Sequence, residues 1–164
     1  GQCALPLLAV GGDRGQRALM RAGLLALLLI SCPGWATEPA HADYMLNCQG
    51  CHLPDGSGFP ARQVPDLRNQ MGRFLSVPGG REFLVQVPGS AQTALNDADL
   101  ARLLNWMLLR FSAAQLPANF QPYTAAEIGA LRRQPLAQVS EVRSELLERI
   151  ARQEQLQISG APAP

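Results

Sequence analysis

The chain has 164 residues and a formal net charge of +1, so it is long enough for one small domain with additional segments. A charge this close to zero does not favour nucleic acid or a strongly acidic substrate as a partner. Only 5% of the residues are aromatic, so the side chains alone provide little bulk for a core.

Residues 1–36 have the pattern of an export signal. The segment opens with basic residues, namely Arg14, Arg17 and Arg21. An uninterrupted apolar run follows over residues 22–30 and is too short to cross a bilayer. We expect cleavage after Ala36, although Ala42 also ends a suitable small-residue pattern. The sequence therefore predicts an exported, periplasmic protein.

A second pattern concerns attachment to the membrane. The segment Leu29-Ile30-Ser31-Cys32 resembles a lipobox, in which Cys32 would be lipidated and would anchor the protein. Short matches of this kind in apolar leaders are common by chance. The membrane is an expected partner only if Cys32 carries a lipid.

The most informative stretch is Cys48-Gln49-Gly50-Cys51-His52, because C-x-x-C-H is the attachment motif of a c-type haem. Two thiols three positions apart on one helical turn can each add to a vinyl group of the same porphyrin. The imidazole that follows then faces the iron as an axial ligand. The motif predicts one covalent haem c, held by Cys48 and Cys51, with His52 as an iron ligand. The haem would supply much of the core that the short chain lacks.

Two other uses of C-x-x-C fit less well. A thioredoxin-like redox pair belongs in a strand-to-helix context, which this sequence lacks. A zinc site needs about four ligands, and outside the motif the chain offers only His41, Cys32 and Cys3. Export also agrees with haem attachment, because that reaction is normally completed outside the cytoplasm.

Around and after the motif, the sequence predicts short elements separated by turns. Residues 43–51 form a helix that runs into the motif, and residues 54–58 (Pro-Asp-Gly-Ser-Gly) form a turn. Residues 60–66 continue as an irregular loop. A short helix is expected over 69–77, stopped by Pro-Gly-Gly, and a helical or extended piece over 81–87, closed by Pro-Gly.

The clearest predicted helix begins at Asn96 or Asp97 and runs to about Arg110. Its apolar side chains recur at helical spacing, as Leu100, Leu103, Leu104, Met107, Leu108 and Phe111. Beyond it, Thr124 caps a helix that ends near Gln134 and has Glu127 at the capping-box position.

A charged helix follows over about 139–157, and residues 159–164 are predicted to be a disordered tail. The last long helix is either a docking arm for a partner or a segment folded back onto the core through its apolar positions. Those positions are Val142, Leu146 and Ile150.

Residues 40–111 resemble a class I monohaem cytochrome c. The resemblance rests on the C-x-x-C-H motif early in the mature chain, the Gly56-Ser57-Gly58 turn and the amphipathic helix opened by Asn96. It implies a small all-α domain around one haem, which we place at residues 40–116, with a helical extension at 117–158. Leu103 and Trp106 are expected on the haem or the first helix, or in ordinary core. The early motif argues against the four-helix cytochromes c′, which carry it near the C-terminus.

The distal iron ligand departs from the family pattern. Class I proteins usually place a methionine in the loop before the last core helix, but residues 88–95 contain none. After the motif only Met71 and Met107 remain. We predict Met71 as the second iron ligand, because its loop-rich segment is long enough to cross the opposite haem face. Met107, or no protein methionine, is the alternative. Three arginines are candidates for the haem propionates or for solvated surface, namely Arg62, Arg68 and Arg73.

These features predict an electron carrier and not an enzyme. Thioether ligation raises the reduction potential and closes the iron, which suits transfer of single electrons. The expected partners are redox proteins such as a periplasmic dehydrogenase or a terminal oxidase of the respiratory chain. The alternative is a haem sensor or peroxidase-like protein with an open distal position.

Overall fold

The computed structural model describes residues 38–160. The whole predicted leader (residues 1–36), including Cys32, and residues 161–164 of the predicted tail lie outside the described residues. In the described part, Ser159 closes the last helix and Gly160 follows it with a φ of 67°, so the helix extends to the start of the segment predicted as a tail.

Helices dominate residues 38–160, where the only β pairing is an isolated bridge between Phe59 and Val64. The all-α fold class predicted from the sequence is therefore confirmed. The α-helices are α1 (Pro39–Asn47), α2 (Met71–Phe74), α3 (Gly80–Gln86), α4 (Pro88–Ala91), α5 (Asp97–Ser112), α6 (Ala125–Leu131) and α7 (Val139–Ser159). Short 3-10 turns lie at Pro60–Arg62 and Ala113–Gln115.

Helix α1 begins earlier and ends earlier than predicted. Pro39 opens it, because the fixed backbone angle of proline suits the first position of a helix. The helix ends at Asn47, and the amides of Cys48 and Gln49 both donate to the Tyr44 carbonyl, at 2.9 and 3.0 Å. The haem motif therefore lies in the turn that follows α1.

Backbone conformation also shortens the next predicted helix. Asn69 has a φ of 57°, which is incompatible with a right-handed helix, so α2 starts only at Met71. Gly79, with a φ of 84°, makes the bend before α3. Pro88 was expected to close a helical piece, but it opens the short helix α4 from its first position.

Helix α5 is the centre of the fold. Asn96 caps it as predicted, accepting a hydrogen bond from the Asp99 amide at 2.9 Å. Helix α1 packs against it through Tyr44, whose ring centroid lies 5.6 Å from that of Trp106 and 5.2 Å from that of Phe111. This contact fixes the direction in which the chain leaves α1 toward the motif.

The C-terminal extension folds back onto the same core. Buried side chains from it join the core cluster, namely Tyr123, Ile128, Leu146 and Ile150. The Asn105 side chain of α5 also bonds both backbone groups of Tyr123, at 2.8 and 3.0 Å. Of the two arrangements left open by the sequence, the structure has the folded-back one. Across residues 38–160, no helix is both long and apolar enough to span a membrane.

Candidate haem site

The C-x-x-C-H motif forms one compact turn. The amides of Cys51 and His52 both donate to the Cys48 carbonyl, at 3.1 and 2.9 Å, so the backbone of the motif closes into one turn. Cys48 is half-buried and Cys51 exposed, and both are free thiols.

The two thiols differ in environment. Burial, together with the nearby Cys51 and Asp43, raises the pKa of Cys48 to about 11. The Cys48 thiol therefore stays protonated at neutral pH in the haem-free chain, and a protonated thiol is a poor nucleophile.

The imidazole of His52 is available as a ligand. Its Nδ1 atom is buried and has no hydrogen-bond partner among the described residues. Burial lowers the pKa of His52, while the Pro65 carbonyl and the Asp66 carboxylate act weakly in the opposite direction. Neither neighbour makes a hydrogen bond of ordinary geometry to Nδ1. A neutral imidazole is the form that binds metals, so this residue suits an iron ligand.

A cavity of about 170 Å³ opens beside the motif. Cys48, Cys51 and His52 form one side of it, and helix α5 contributes much of the apolar wall. The other lining residues are Asn47, Leu67, Met71, Leu84, Val87, Gly89, Ser90, Thr93, Leu100, Leu103, Leu104 and Met107. A mostly apolar cavity lined by both cysteines and the histidine of the motif has the chemistry that an apolar porphyrin plate requires.

A larger cavity of about 1110 Å³ adjoins the first. The two share lining residues, namely His52, Leu67, Met71, Leu84, Val87 and Gly89. Residues of the 60–66 loop line only the larger cavity, as do residues just before α7 and in its first turn, between 137 and 143. The cysteines line only the smaller one. Together the cavities provide a continuous space that begins at the thiols and extends toward the C-terminal helix.

Both candidate methionines reach this space. Met71 in α2 and Met107 in α5 are buried and line the smaller cavity. Met71 also lines the larger cavity, which Met107 does not. The segment at residues 88–95 lines the wall as well, but with Gly89, Ser90 and Thr93.

Leu103 faces the cavity, and Trp106 packs on α1 against Tyr44 and His41. Both positions are among those expected from the sequence, which also allowed ordinary core.

Two of the three candidate arginines are already paired with carboxylates. Arg68 bonds Asp55 and Asp66, and Arg73 bonds Glu154. Arg62 lies with its guanidinium carbon 5.7 Å from the centre of the Phe59 ring.

A close approach holds the turn after the motif in place. Gly56 has a φ of 82°, and a Cβ atom there would lie 2.6 Å from the Phe111 ring of α5. The Tyr44 hydroxyl donates to the Leu53 carbonyl in the same turn at 2.6 Å. The turn is therefore fixed to both α1 and α5, which limits the freedom of the neighbouring motif.

Sequence reasoning missed one part of the site, the start of α7. Residues 137–143 line the larger cavity although they follow the motif by more than eighty positions. No local pattern could indicate this, because it depends on how the extension folds back.

Within residues 38–160, no cluster of three or more His, Cys, Asp or Glu side chains is placed to hold a metal ion.

Comparison with known proteins agrees with this geometry. The chain is 30% identical to a cytochrome c-552 of Thermus thermophilus over 136 residues, which cover 71% of the chain and 90% of that relative. A second Thermus thermophilus cytochrome c-552 is 30% identical over 107 residues, covering 54% of the chain and 81% of the relative. No family model matches the chain.

The all-α fold, the motif beside an apolar slot and this similarity define a c-type cytochrome. The chain belongs to the class I c-type cytochromes. It is accordingly an electron carrier and not an enzyme, and its cofactor is covalently attached haem c. The family and the cofactor predicted from the sequence are both confirmed.

Proposed function

We propose that this cytochrome is an exported monohaem carrier of single electrons in the periplasm. Its donor would be a dehydrogenase or another redox protein, and its acceptor a component of the respiratory chain such as a terminal oxidase. The observation that carries the proposal is the apolar cavity bounded by Cys48, Cys51 and His52. Such a site holds a one-electron cofactor beside an exposed part of the surface, since Cys51 is exposed.

We assign attachment of the haem to Cys48 and Cys51, and the proximal iron position to His52. Each S–H bond would add across one vinyl C=C bond, so that sulfur bonds carbon and the proton goes to the neighbouring carbon, without an oxidant. Holoprotein expressed with a haem-ligation system should have the mass of the polypeptide plus one haem. C48S with C51S should lose that added mass after denaturation. A full-length product with the bare polypeptide mass would overturn the assignment.

Export and cleavage after Ala36 fit the fold of the mature chain. Cleavage after Ala42 would remove the first turn of α1, including the fully buried Ala40. It would also remove His41, whose ring stacks on Trp106 with centroids 5.5 Å apart. N-terminal sequencing of the exported protein distinguishes the two sites. It also reports whether Cys32 has become a lipidated first residue.

The surface near the motif suits a redox partner that docks by apolar contact. Leu46 and Leu53 flank the motif and are 84% and 49% exposed. Of the first two arginines after the motif, Arg68 is paired with carboxylates and Arg62 lies over the Phe59 ring, and the chain contains no lysine. We therefore expect electron exchange between two molecules of this protein to depend weakly on salt. Leu46→Asp should slow that exchange, measured by NMR line broadening in partly reduced samples. The exposed Leu109 (59% exposed), changed to Asp, is the control.

Met71 is our proposed distal ligand, because it is buried and lines both cavities beside His52. A thioether there would leave the iron without an open position and favour the reduced form. Both effects suit a carrier.

One observation favours a second function. The segment at residues 88–95, where this family usually has its methionine, lines the cavity with Gly89, Ser90 and Thr93 and no sulfur. If neither Met71 nor Met107 bonds the iron, an exogenous ligand could enter, as in a haem sensor or peroxidase-like protein. Carbon monoxide added to the reduced protein separates the two. Rapid appearance of a carbonyl spectrum supports the open site, and an unchanged spectrum supports the carrier.

A further inference from the structure

We propose that Arg143, at the start of the C-terminal helix α7, binds a propionate of the haem. This assignment rests on the proposed function, in which Cys48 and Cys51 hold the haem at the smaller cavity. It gives the C-terminal extension a direct role at the cofactor.

The direction of the porphyrin follows from its two points of attachment. The vinyl groups and the propionates of a haem occupy opposite edges of the macrocycle. With the vinyl edge bonded to Cys48 and Cys51, the propionate edge points away from them. The cysteines line only the smaller cavity, and the space continues past His52 and Met71 into the larger one. The propionates therefore fall in the larger cavity.

The larger cavity has one cationic side chain in its lining. Among its lining residues, Arg143 carries the only guanidinium. The lining also contains two carboxylates. Asp66 is paired with Arg68, and Glu141 is exposed and makes no ion pair among the described residues. Two carboxylates in a mostly apolar cavity would repel a propionate, so a cation is needed there.

The guanidinium of Arg143 is available to bind a propionate. It is half-buried and makes no hydrogen bond or ion pair with any residue in the 38–160 range. Arg68 and Arg73, which lie closer to the motif in sequence, are held by Asp55, Asp66 and Glu154. A guanidinium and a carboxylate form two parallel hydrogen bonds, the strongest pairing open to a propionate.

The test is the reduction potential of the holoprotein, measured by spectroscopic redox titration at neutral pH. A positive charge near the haem disfavours the ferric form, so R143Q should lower the potential. We expect a roughly threefold change in the one-electron equilibrium constant, about 28 mV. R143K, which keeps the charge, should lie closer to wild type. R152Q is the matched control, because Arg152 lies on the same helix, is 67% exposed and pairs only with Glu148.

The outcomes separate this inference from the function on which it rests. Equal potentials in wild type, R143Q and R152Q, with haem bound in all three, would overturn the role of Arg143 and leave the cytochrome function intact. Loss of haem in R143Q, with haem retained in R143K and R152Q, supports the inference. Loss of haem in R143Q and R143K but not in R152Q supports the two-point guanidinium contact, whereas loss in all three overturns the inference, because the effect is then not specific to Arg143. Absence of haem from the wild type would refute the proposed function itself.

Discussion

Arg73 of α2 and Glu154 of α7 meet in a two-point ion pair. The Nε atom and one terminal nitrogen of Arg73 each donate to a different carboxylate oxygen of Glu154, both at 2.8 Å. The pair joins the segment next to the haem cavity to a helix 81 residues later in the chain. On the same side, Arg149 donates to the Pro78 carbonyl at 2.9 Å. Helix α7 is thus tied by Glu154 to α2, which carries the cavity-lining Met71, and by Arg149 to the Pro78 turn before α3.

From this arrangement we expect the extension to stabilise the core. Leu146 is fully buried on α7, so Leu146→Ala should cost about 2 to 5 kcal/mol in the free energy of unfolding, through lost burial and a residual cavity. Ile158→Ala on the same helix removes a side chain that is 86% exposed and should change the free energy by less than about 0.5 kcal/mol. Urea unfolding of the holoprotein measures both. Equal, small effects would mean that α7 is not part of the cooperative unit.

The elements that the sequence predicted well are those whose signals are local. The periodic apolar residues and the Asn96 cap located α5, and Thr124 caps α6, accepting a hydrogen bond from the Glu127 amide at 3.2 Å. The C-x-x-C-H motif is likewise recognised from five consecutive residues. In each case residues a few positions apart determine the local structure, so the sequence is sufficient to predict it.

What the sequence could not predict depends on contacts between distant residues. The Glu127 side chain fits a capping box, yet its carboxylate pairs with Arg81 of α3. Arg132, which looks like a surface residue, donates to the carbonyls of Ala91, Thr93 and Leu95 and so closes the end of α4. The Asn69 backbone, with a φ of 57°, is held by a bond from its amide to the Phe111 carbonyl at 2.8 Å. None of these partners can be read from local patterns.

The two histidines give a matched test of the proximal ligand. His52→Gly should remove the imidazole from the haem face and change the absorption spectra of both oxidation states. Added imidazole should restore them in part, because the side chain leaves a space of its own shape. His41→Gln should leave the spectra unchanged, since His41 stacks on Trp106 and does not line the cavity. A spectrum unaffected by His52→Gly would contradict the assignment.

The two methionines can be compared in the same way. Leucine has nearly the volume of methionine, so the packing cost of Met71→Leu and of Met107→Leu should each be less than about 1.5 kcal/mol. If Met71 bonds the iron, only Met71→Leu should lower the reduction potential and allow carbon monoxide to bind the reduced haem. The reverse pattern would assign Met107. Carbon monoxide binding in the wild type would instead favour the open site.

The last prediction concerns alkaline pH and the two tyrosines of the chain. Tyr123 is 3% exposed, and its hydroxyl donates to the Arg81 carbonyl at 2.7 Å. Burial raises the pKa of Tyr123 well above its ordinary range, against a smaller opposing effect of the Arg81 charge. Burial also raises the pKa of Tyr44 to about 12. Above about pH 10 the unfolded chain loses these protons while the folded chain keeps them. The free energy of unfolding should therefore fall as pH rises, by about 1.4 kcal/mol per pH unit for each tyrosine.

Tyr123→Phe separates the two contributions. At pH 8 it should cost about 1 kcal/mol, because the hydrogen bond to Arg81 is lost. Above about pH 10 its stability should decline at roughly half the slope of the wild type, since only Tyr44 remains to titrate, so the two curves should approach one another. Urea unfolding of haem-loaded protein between pH 8 and 11 measures this, because cysteines bonded to the haem no longer titrate. Parallel curves would show that Tyr123 has the same pKa in the folded and unfolded chains, contrary to its burial against α3 and α5.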